Sequence, residues 1–330
     1  MKLLSTLHDC TPSTDPRVNE SLRKALQGSF AIVVGSGRGI GRACCEFFAH
    51  ATIQAIACIA LEESEAQATA ARCREISPSS EVVAAGVDVR DYAATKDLFA
   101  KLEQQFGRTC DILLMNAGLP GQWLPTSRAD PENWWDTVSV SLKGAFNCAR
   151  LVLPGMQAKK DGRIIFTSSI GAHYAQGMSG YGVAKLGQVR LAEIIHEENY
   201  KQYNVKCFAY HPGCVKTRFF TDFEDAVLGK VKSEQTGNYG SLRDGVDLES
   251  ARTAYEALRG QDFDTEYMAA GLVTAVAAGK LDFMSGRYLD ASVDIEEYIS
   301  NAPKIQKEDL CRVRLNQGDG DLLPNETTRH

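Results

Sequence analysis

The sequence predicts an α/β fold: a single doubly wound parallel sheet with helices on both faces and an extended lobe late in the chain. Three observations predict it. Short apolar runs alternate with longer amphipathic stretches from residue 30 onward. The runs are continuously apolar rather than alternating, so their strands are buried on both faces, as in a parallel sheet covered by helices. Each run is too short for a buried helix and is followed by a helical pattern before the next, which gives right-handed crossovers.

Taken in order, residues 1–28 form a polar, turn-rich N-terminal extension with Pro12, Pro16 and Gly28. Strands are expected at 30–34, 53–60, 82–87, 111–115, 163–167 and 205–210, with helices at 42–50, 62–76, 95–106, 134–158 and 181–200. The rhythm then weakens. The lobe at 218–284 opens with Phe219, Phe220 and Phe223, passes through a Gly/Ser/Asp-rich stretch near 237–247 and reaches the apolar run 268–278. A last strand is expected at 286–290, closing one domain that spans 29–290. Residues 291–330 hold an acidic helix at 294–300 and a tail, disordered beyond Gln317.

Composition excludes several classes. With 36 Lys+Arg against 42 Asp+Glu the net charge is −6 and no basic run exists, so nucleic acid has no electrostatic footprint. No run of about 18 apolar residues is present, which argues against a membrane-spanning helix. The first ten residues carry one Lys and too short an apolar run for a secretory signal. The 10 Cys lack CxxC or Cys/His spacing, which argues against zinc and for buried thiols in a reducing compartment. The expectation is a soluble cytoplasmic protein that takes a small molecule and no metal.

The first strand runs into Val34-Gly35-Ser36-Gly37-Arg38-Gly39-Ile40-Gly41, which opens a helix. Glycines there permit positive φ and let backbone N–H groups approach a phosphate seated on the helix N-terminus. The spacing is G-x-x-x-G-x-G, not the G-x-G-x-x-G of the general dinucleotide fingerprint.

That spacing, with four motifs downstream, resembles the short-chain dehydrogenase/reductase family. Asp88 sits where the family contacts adenine, and Asn116-Ala117-Gly118 looks like its N-A-G motif. Tyr181-Gly182-Val183-Ala184-Lys185 resembles the Y-x-x-x-K signature. Pro212-Gly213-Cys214-Val215-Lys216-Thr217 resembles the P-G-x-x-x-T motif that holds the nicotinamide carboxamide. The resemblance covers residues 29–290 in order. It implies a Rossmann-like sheet and a dinucleotide bound by Gly35, Arg38, Gly39, Ile40, Gly41, Asp88, Asn116, Tyr181, Lys185, Val215 and Thr217. It also implies a homodimer or homotetramer joined through helices around 134–158 and 181–200. The extended N-terminus, the Ser168–His173 stretch and the acidic C-terminal helix look similar to fungal members, which often act in secondary metabolism or on small lipophilic carbonyls.

The Y-x-x-x-K pattern occurs twice, each copy with two Ser residues 12 and 13 positions upstream. Ser79 and Ser80, upstream of Tyr92 and Lys96, precede their strand. Ser168 and Ser169, upstream of Tyr181 and Lys185, follow theirs. Ligands bind outside the carboxyl ends of strands in open α/β sheets, so Tyr181 is the candidate and Tyr92 reads as a surface cap of the next helix. At i and i+4, Tyr181 and Lys185 project from one helix face, and a nearby ammonium is expected to lower the phenol's pKa. The phenol then exchanges a proton while hydride moves to or from a carbinol carbon, and a Ser hydroxyl holds the substrate oxygen. Counting back from Tyr181 gives Ser168. Counting along the strand gives Ser169, which is preferred because a loop deletion is easier than a register slip.

Three departures from the family pattern stand out: Val34 replaces a threonine, Met115 precedes Asn116 in place of another Asn, and Ser141 falls where many members carry an Asn of the proton relay. With Ile59 aligned at the place of the ribose-binding acid, no carboxylate would repel a 2′-phosphate, and Arg38 could pair with it. NADP is therefore preferred, with NAD the alternative if Glu62 takes the acid's role or Arg38 is only solvated. His211 reads as hydrogen-bonded scaffold, Trp134 and Trp135 as packing at a helix start. The three phenylalanines suggest an apolar substrate or ordinary core. The expected activity is an NADP(H)-dependent oxidoreductase that interconverts a secondary alcohol and a ketone or aldehyde, with Tyr181 as acid/base, Lys185 tuning it and Ser169 orienting substrate. The rival is a cofactor-binding protein without net redox, such as an isomerase, cyclase or scaffold, and after it a nucleotide-free interaction module.

Overall fold

The computed structural model describes residues 6–173, 178–228 and 262–314, together with Arg252, Tyr255, Glu256 and Arg259. Seven strands, β1 (Phe30–Val34), β2 (Ala55–Ala60), β3 (Glu81–Gly86), β4 (Ile112–Met115), β5 (Gly162–Thr167), β6 (Val205–His211) and β7 (Tyr288–Asp290), form one sheet in the order β3-β2-β1-β4-β5-β6-β7. Every pairing in it is parallel.

The continuous apolar runs are explained by burial on both faces. In β1, Phe30, Ile32 and Val34 pack toward α4 (Tyr92–Phe106), α6 (Gly144–Lys159) and α7 (Ser179–Tyr203), meeting Phe99, Val152 and Val189 among others. Ala31 and Val33 face the opposite layer, built by α2 (Gly39–His50), α3 (Glu63–Ile76) and a later helix, Glu266–Ala277. Only β3, at the sheet edge, mixes exposed and buried positions, with Glu81 and Gly86 exposed.

The helices depart from the sequence pattern in three places. A seven-residue helix, α1 (Glu20–Leu26), lies inside the N-terminal extension, capped by Asn19 and burying Leu22 and Leu26. At that length there is too little periodicity to see. The expected helix at 134–158 begins earlier and is interrupted. Asp130 caps α5 (Pro131–Val138), a π-helical turn spans Ser139–Lys143, and α6 follows. Finally, α4 starts at Tyr92 because Asp91, not Tyr92, is its cap, accepting a bond from Ala94 N–H.

Beyond β6 come α8 (Arg218–Val227), α9 (Glu266–Ala277), α10 (Ile295–Ser300) and α11 (Ala302–Lys307). The Gly/Ser/Asp-rich stretch near 237–247 and the tail beyond Gln317 lie outside the described residues. The N-terminal segment is tied to this late part of the chain: Leu7 N–H donates to the Ser292 carbonyl and Thr265 N–H to that of His8. Among the described residues no helix is long and apolar enough to cross a membrane.

Candidate active site

The carboxyl ends of β1 to β6 share one edge of the sheet, and one cleft of about 800 Å³ opens there. It straddles β1 and β4, where the strand order reverses and where this architecture places its ligands. Gly35 and residues 37–40 of the glycine turn, Asp88, Asn116, Ser168, Ser169, Tyr181, Lys185, residues 211–215 and Thr217 all supply lining atoms. The second Y-x-x-x-K copy is elsewhere. Ser79 and Ser80 precede β3 while Tyr92 follows it, and neither serine, Tyr92 nor Lys96 reaches the cleft.

The glycine turn is shaped for a ligand. Gly35 (φ +85°) and Gly39 (φ +51°) take backbone conformations that L side chains rarely adopt. A Cβ on Gly41 would be driven into the Gly35 carbonyl oxygen, and Gly41 itself lies behind the cleft wall. Asn116 holds the turn from the side, its Nδ2 donating to that carbonyl at 3.0 Å. No side chain caps α2, so the N–H groups that intrahelical bonding leaves over point toward the cleft with the positive end of the helix dipole. Those features fit the pyrophosphate of a dinucleotide.

At the other end of that half, the position of β2 on the cleft wall is Ala60. Ile59, aligned above with the ribose-binding acid, is instead fully buried in the core and pairs with Val34. Neither is a carboxylate, but Glu65, from the first turn of α3, reaches the same wall and forms an ion pair with Arg38 (2.9 Å). Glu62, the exposed residue preceding α3, lines the same wall, so the carboxylate expected as the alternative ribose partner is also at the cleft. Asp88 is gripped by Arg90, whose Nε and Nη2 lie 2.9 and 2.7 Å from Oδ2, and that bonding holds its carboxyl below the usual range.

The candidate catalytic groups meet where β5 and α7 converge. Ser168 is buried and turned away from the substrate space: its Oγ donates to the Lys185 carbonyl at 2.8 Å. Ser169 Oγ is hydrogen-bonded with Tyr181 and also accepts from Gly171 N–H at 3.0 Å. Lys185 Nζ donates to the Thr167 carbonyl (2.5 Å) and lies over the Tyr181 ring, 5.5 Å from its centroid.

The expected electrostatics are reversed. Burial pushes the Tyr181 phenol up to about 12, opposed by its Ser169 bond, and pushes Lys185 down to about 7. Lys185 Nζ stands over the ring face, and for both groups desolvation outweighs any attraction between them.

Around this centre, Ser141 lies in the π-helical turn. Its Oγ accepts from Leu119 N–H (3.3 Å) and its carbonyl from Gln188 Nε2 (2.7 Å). His211 accepts from Ile170 N–H at Nδ1, and burial lowers its pKa. Trp134 donates to Ser179 Oγ at the start of α7, while Trp135 is largely exposed. Phe220 and Phe223 are buried with Trp123, whose ring stacks on Phe223 at 4.2 Å, and all three edge the cleft. The side chain of Phe219 lies outside the described residues. Sequence reasoning missed Glu65 and Trp123; a carboxylate one turn into the helix after β2 was the available signal for the first.

Comparison with known proteins agrees with this geometry. The family model for short chain dehydrogenases matches residues 29–227. The short chain dehydrogenase mpl6 of Monascus purpureus is 30% identical over 292 residues, 87% of this chain and 89% of that one. The short chain dehydrogenase pigC of Monascus ruber is 26% identical over 317 residues, covering 94% and 93%. Among solved structures, levodione reductase superposes with a TM-score of 0.68 at 21% identity, over 80% of this chain and 96% of its own. NAD+-bound xylitol dehydrogenase does so with 0.67 at 22%, over 80% and 98%. Parallel sheet, glycine turn, Y-x-x-x-K helix and matched family model converge, and the chain belongs to the short-chain dehydrogenases/reductases, an oxidoreductase acting on CH–OH donors with NAD(P).

Proposed function

We propose that this protein is an NADP(H)-dependent oxidoreductase that interconverts a secondary alcohol and a ketone or aldehyde on a small apolar metabolite. The observation that carries the reading is the convergence of Ser169, Tyr181 and Lys185 on the cleft below the glycine turn. When bound, the dinucleotide supplies the hydride acceptor or donor. Tyr181 exchanges the proton of the substrate oxygen, and the raised phenol pKa keeps it protonated and ready to donate toward a carbonyl at neutral pH. Ser169 orients that oxygen. Lys185, anchored to the Thr167 carbonyl, holds the phenol's ring from beneath. Trp123, Phe220 and Phe223 give the substrate end an apolar wall.

Arg38, Gly39 and Ile40 with the opening turn of α2 take the phosphates, Asp88 the adenine, and Val215 and Thr217 the carboxamide. For NADP, Arg38 exchanges its carboxylate partner for the 2′-phosphate. The Arg38–Glu65 pair also favours a second reading, in which Glu65 accepts the ribose 2′-OH of NAD. The bonds already made by Ser141 favour a further rival, a cofactor-binding isomerase, cyclase or scaffold without net redox. The ten cysteines, all free thiols, support a cytoplasmic home, and the fungal relatives a place in secondary metabolism.

The test follows NADPH absorbance with a panel of ketones. Tyr181→Phe is expected to lose at least about a hundredfold in kcat while still binding dinucleotide. Undiminished turnover would remove Tyr181 from its role, and binding without turnover in the wild type would favour the non-redox rival. Thermal stabilisation by NADP is expected to exceed that by NAD, and equal shifts would overturn the cofactor preference.

A further inference from the structure

Asp264 stands outside the cleft, between α8 and α9, yet both its backbone and its carboxylate join it to the loop 212–217. Its N–H donates to the Cys214 carbonyl at 3.0 Å, and its backbone forms a parallel bridge with Val215. Its Oδ2 accepts from Cys214 N–H at 2.5 Å. The carboxylate also fills the space beside Gly213, where φ is +94° and a Cβ would come within 2.5 Å of Oδ2. A buried carboxylate in such a place needs a partner. The N-terminal segment supplies it: His8 Nδ1 lies 2.7 Å from Asp264 Oδ1. The same segment is fixed by two further bonds, Thr265 N–H to the His8 carbonyl and Thr265 Oγ1 to Asp9 Oδ1.

We propose that Asp264 is a positioning residue for the nicotinamide-end loop, and that residues 7–10 are its clamp. The inference rests on the reading that loop 212–217 receives the carboxamide. Backbone N–H groups bind a ligand only if their direction is fixed, and here the direction of Cys214 N–H, next to Val215, is set by a carboxylate that is itself oriented by His8. The N-terminal extension is thereby part of the binding machinery although none of its described residues reaches the cleft.

The experiment compares a complete dinucleotide with a fragment that cannot reach the loop. Dissociation constants are measured by calorimetry for NADPH and for adenosine 2′,5′-bisphosphate, on the full chain and on Asp264→Ala, Asp264→Asn and His8→Phe, with NADH and ADP as the parallel pair. Asp264→Ala is expected to weaken NADPH about tenfold and the bisphosphate less than about twofold, since one charge-assisted hydrogen bond is lost at one end only. Asp264→Asn, which keeps an acceptor for Cys214 N–H, is expected to recover most of the loss, and His8→Phe to fall between. Equal weakening of dinucleotide and fragment, or none of either, overturns the proposal. If the wild type binds the fragments but gains nothing from the nicotinamide half, the reading of the loop itself fails.

Discussion

Ser168 and Ser169 are adjacent in the chain and face opposite ways, as neighbours in extended backbone must. Spacing to Tyr181 alone could not say which faces the phenol, because only the phase of β5 decides it, and phase is set by packing. Ser169→Ala is expected to lower kcat by about a hundredfold, through loss of a donor at the reacting oxygen. Ser168→Ala, which breaks only the bond to the Lys185 carbonyl, is expected to leave turnover near wild type and reduce urea stability by about 1 kcal/mol. Lys185 gives a prediction of opposite character. Its folded pKa, about 7, is below the ordinary 10.5, so between those values the unfolded chain binds more protons than the folded one. Stability from this group therefore rises with pH across that window. Urea midpoints taken at pH 7 and pH 9.5 should climb for the wild type relative to Lys185→Met; a slope unchanged by the substitution refutes it. This reversal was not legible in the sequence, where helical spacing shows that two groups are close but not how far water is excluded from them.

At the scale of the element, strands β1 to β6 and the turn behind β1 were legible, because continuous apolar runs and clustered glycines are local signals. The prediction here is that Gly41→Ala weakens dinucleotide binding more than about tenfold and lowers the melting temperature, since the new Cβ collides with the Gly35 carbonyl and must open the turn. Thermal unfolding with and without dinucleotide checks both parts. Less legible was the break between α5 and α6. Val140, Ser141 and Leu142 continue a helical pattern, and nothing local announces the π-helical turn in which Ser141 meets Gln188 and Leu119. Such turns are frequent at functional sites because they redirect backbone groups without ending the helix.

For the whole molecule, sequence reasoning was weakest where contacts are most distant. His8 and Asp264 are 256 positions apart, and a polar, turn-rich extension gave no hint that it would fasten a loop at the site. Assembly belongs to the same scale. Val183, Leu186 and Ile194 are exposed along one face of α7, and Phe146 is exposed on the neighbouring α6. Their spacing makes a stripe suited to pairing with a second copy. If the expected homodimer or homotetramer pairs through this stripe, Leu186→Asp with Ile194→Asp gives smaller species than the wild type in light scattering; equal masses would overturn pairing through this face.

The ion pairs on the cleft wall reach beyond local structure. Arg38 is matched by Glu65, Arg90 by Asp88 and Asp136, and Lys185 is partly discharged by its surroundings. A polyanion approaching from solution therefore meets little long-range pull, and the net charge of −6 adds none. At long range the net charge opposes such a polyanion, so salt, by screening that repulsion, eases its approach rather than hindering it.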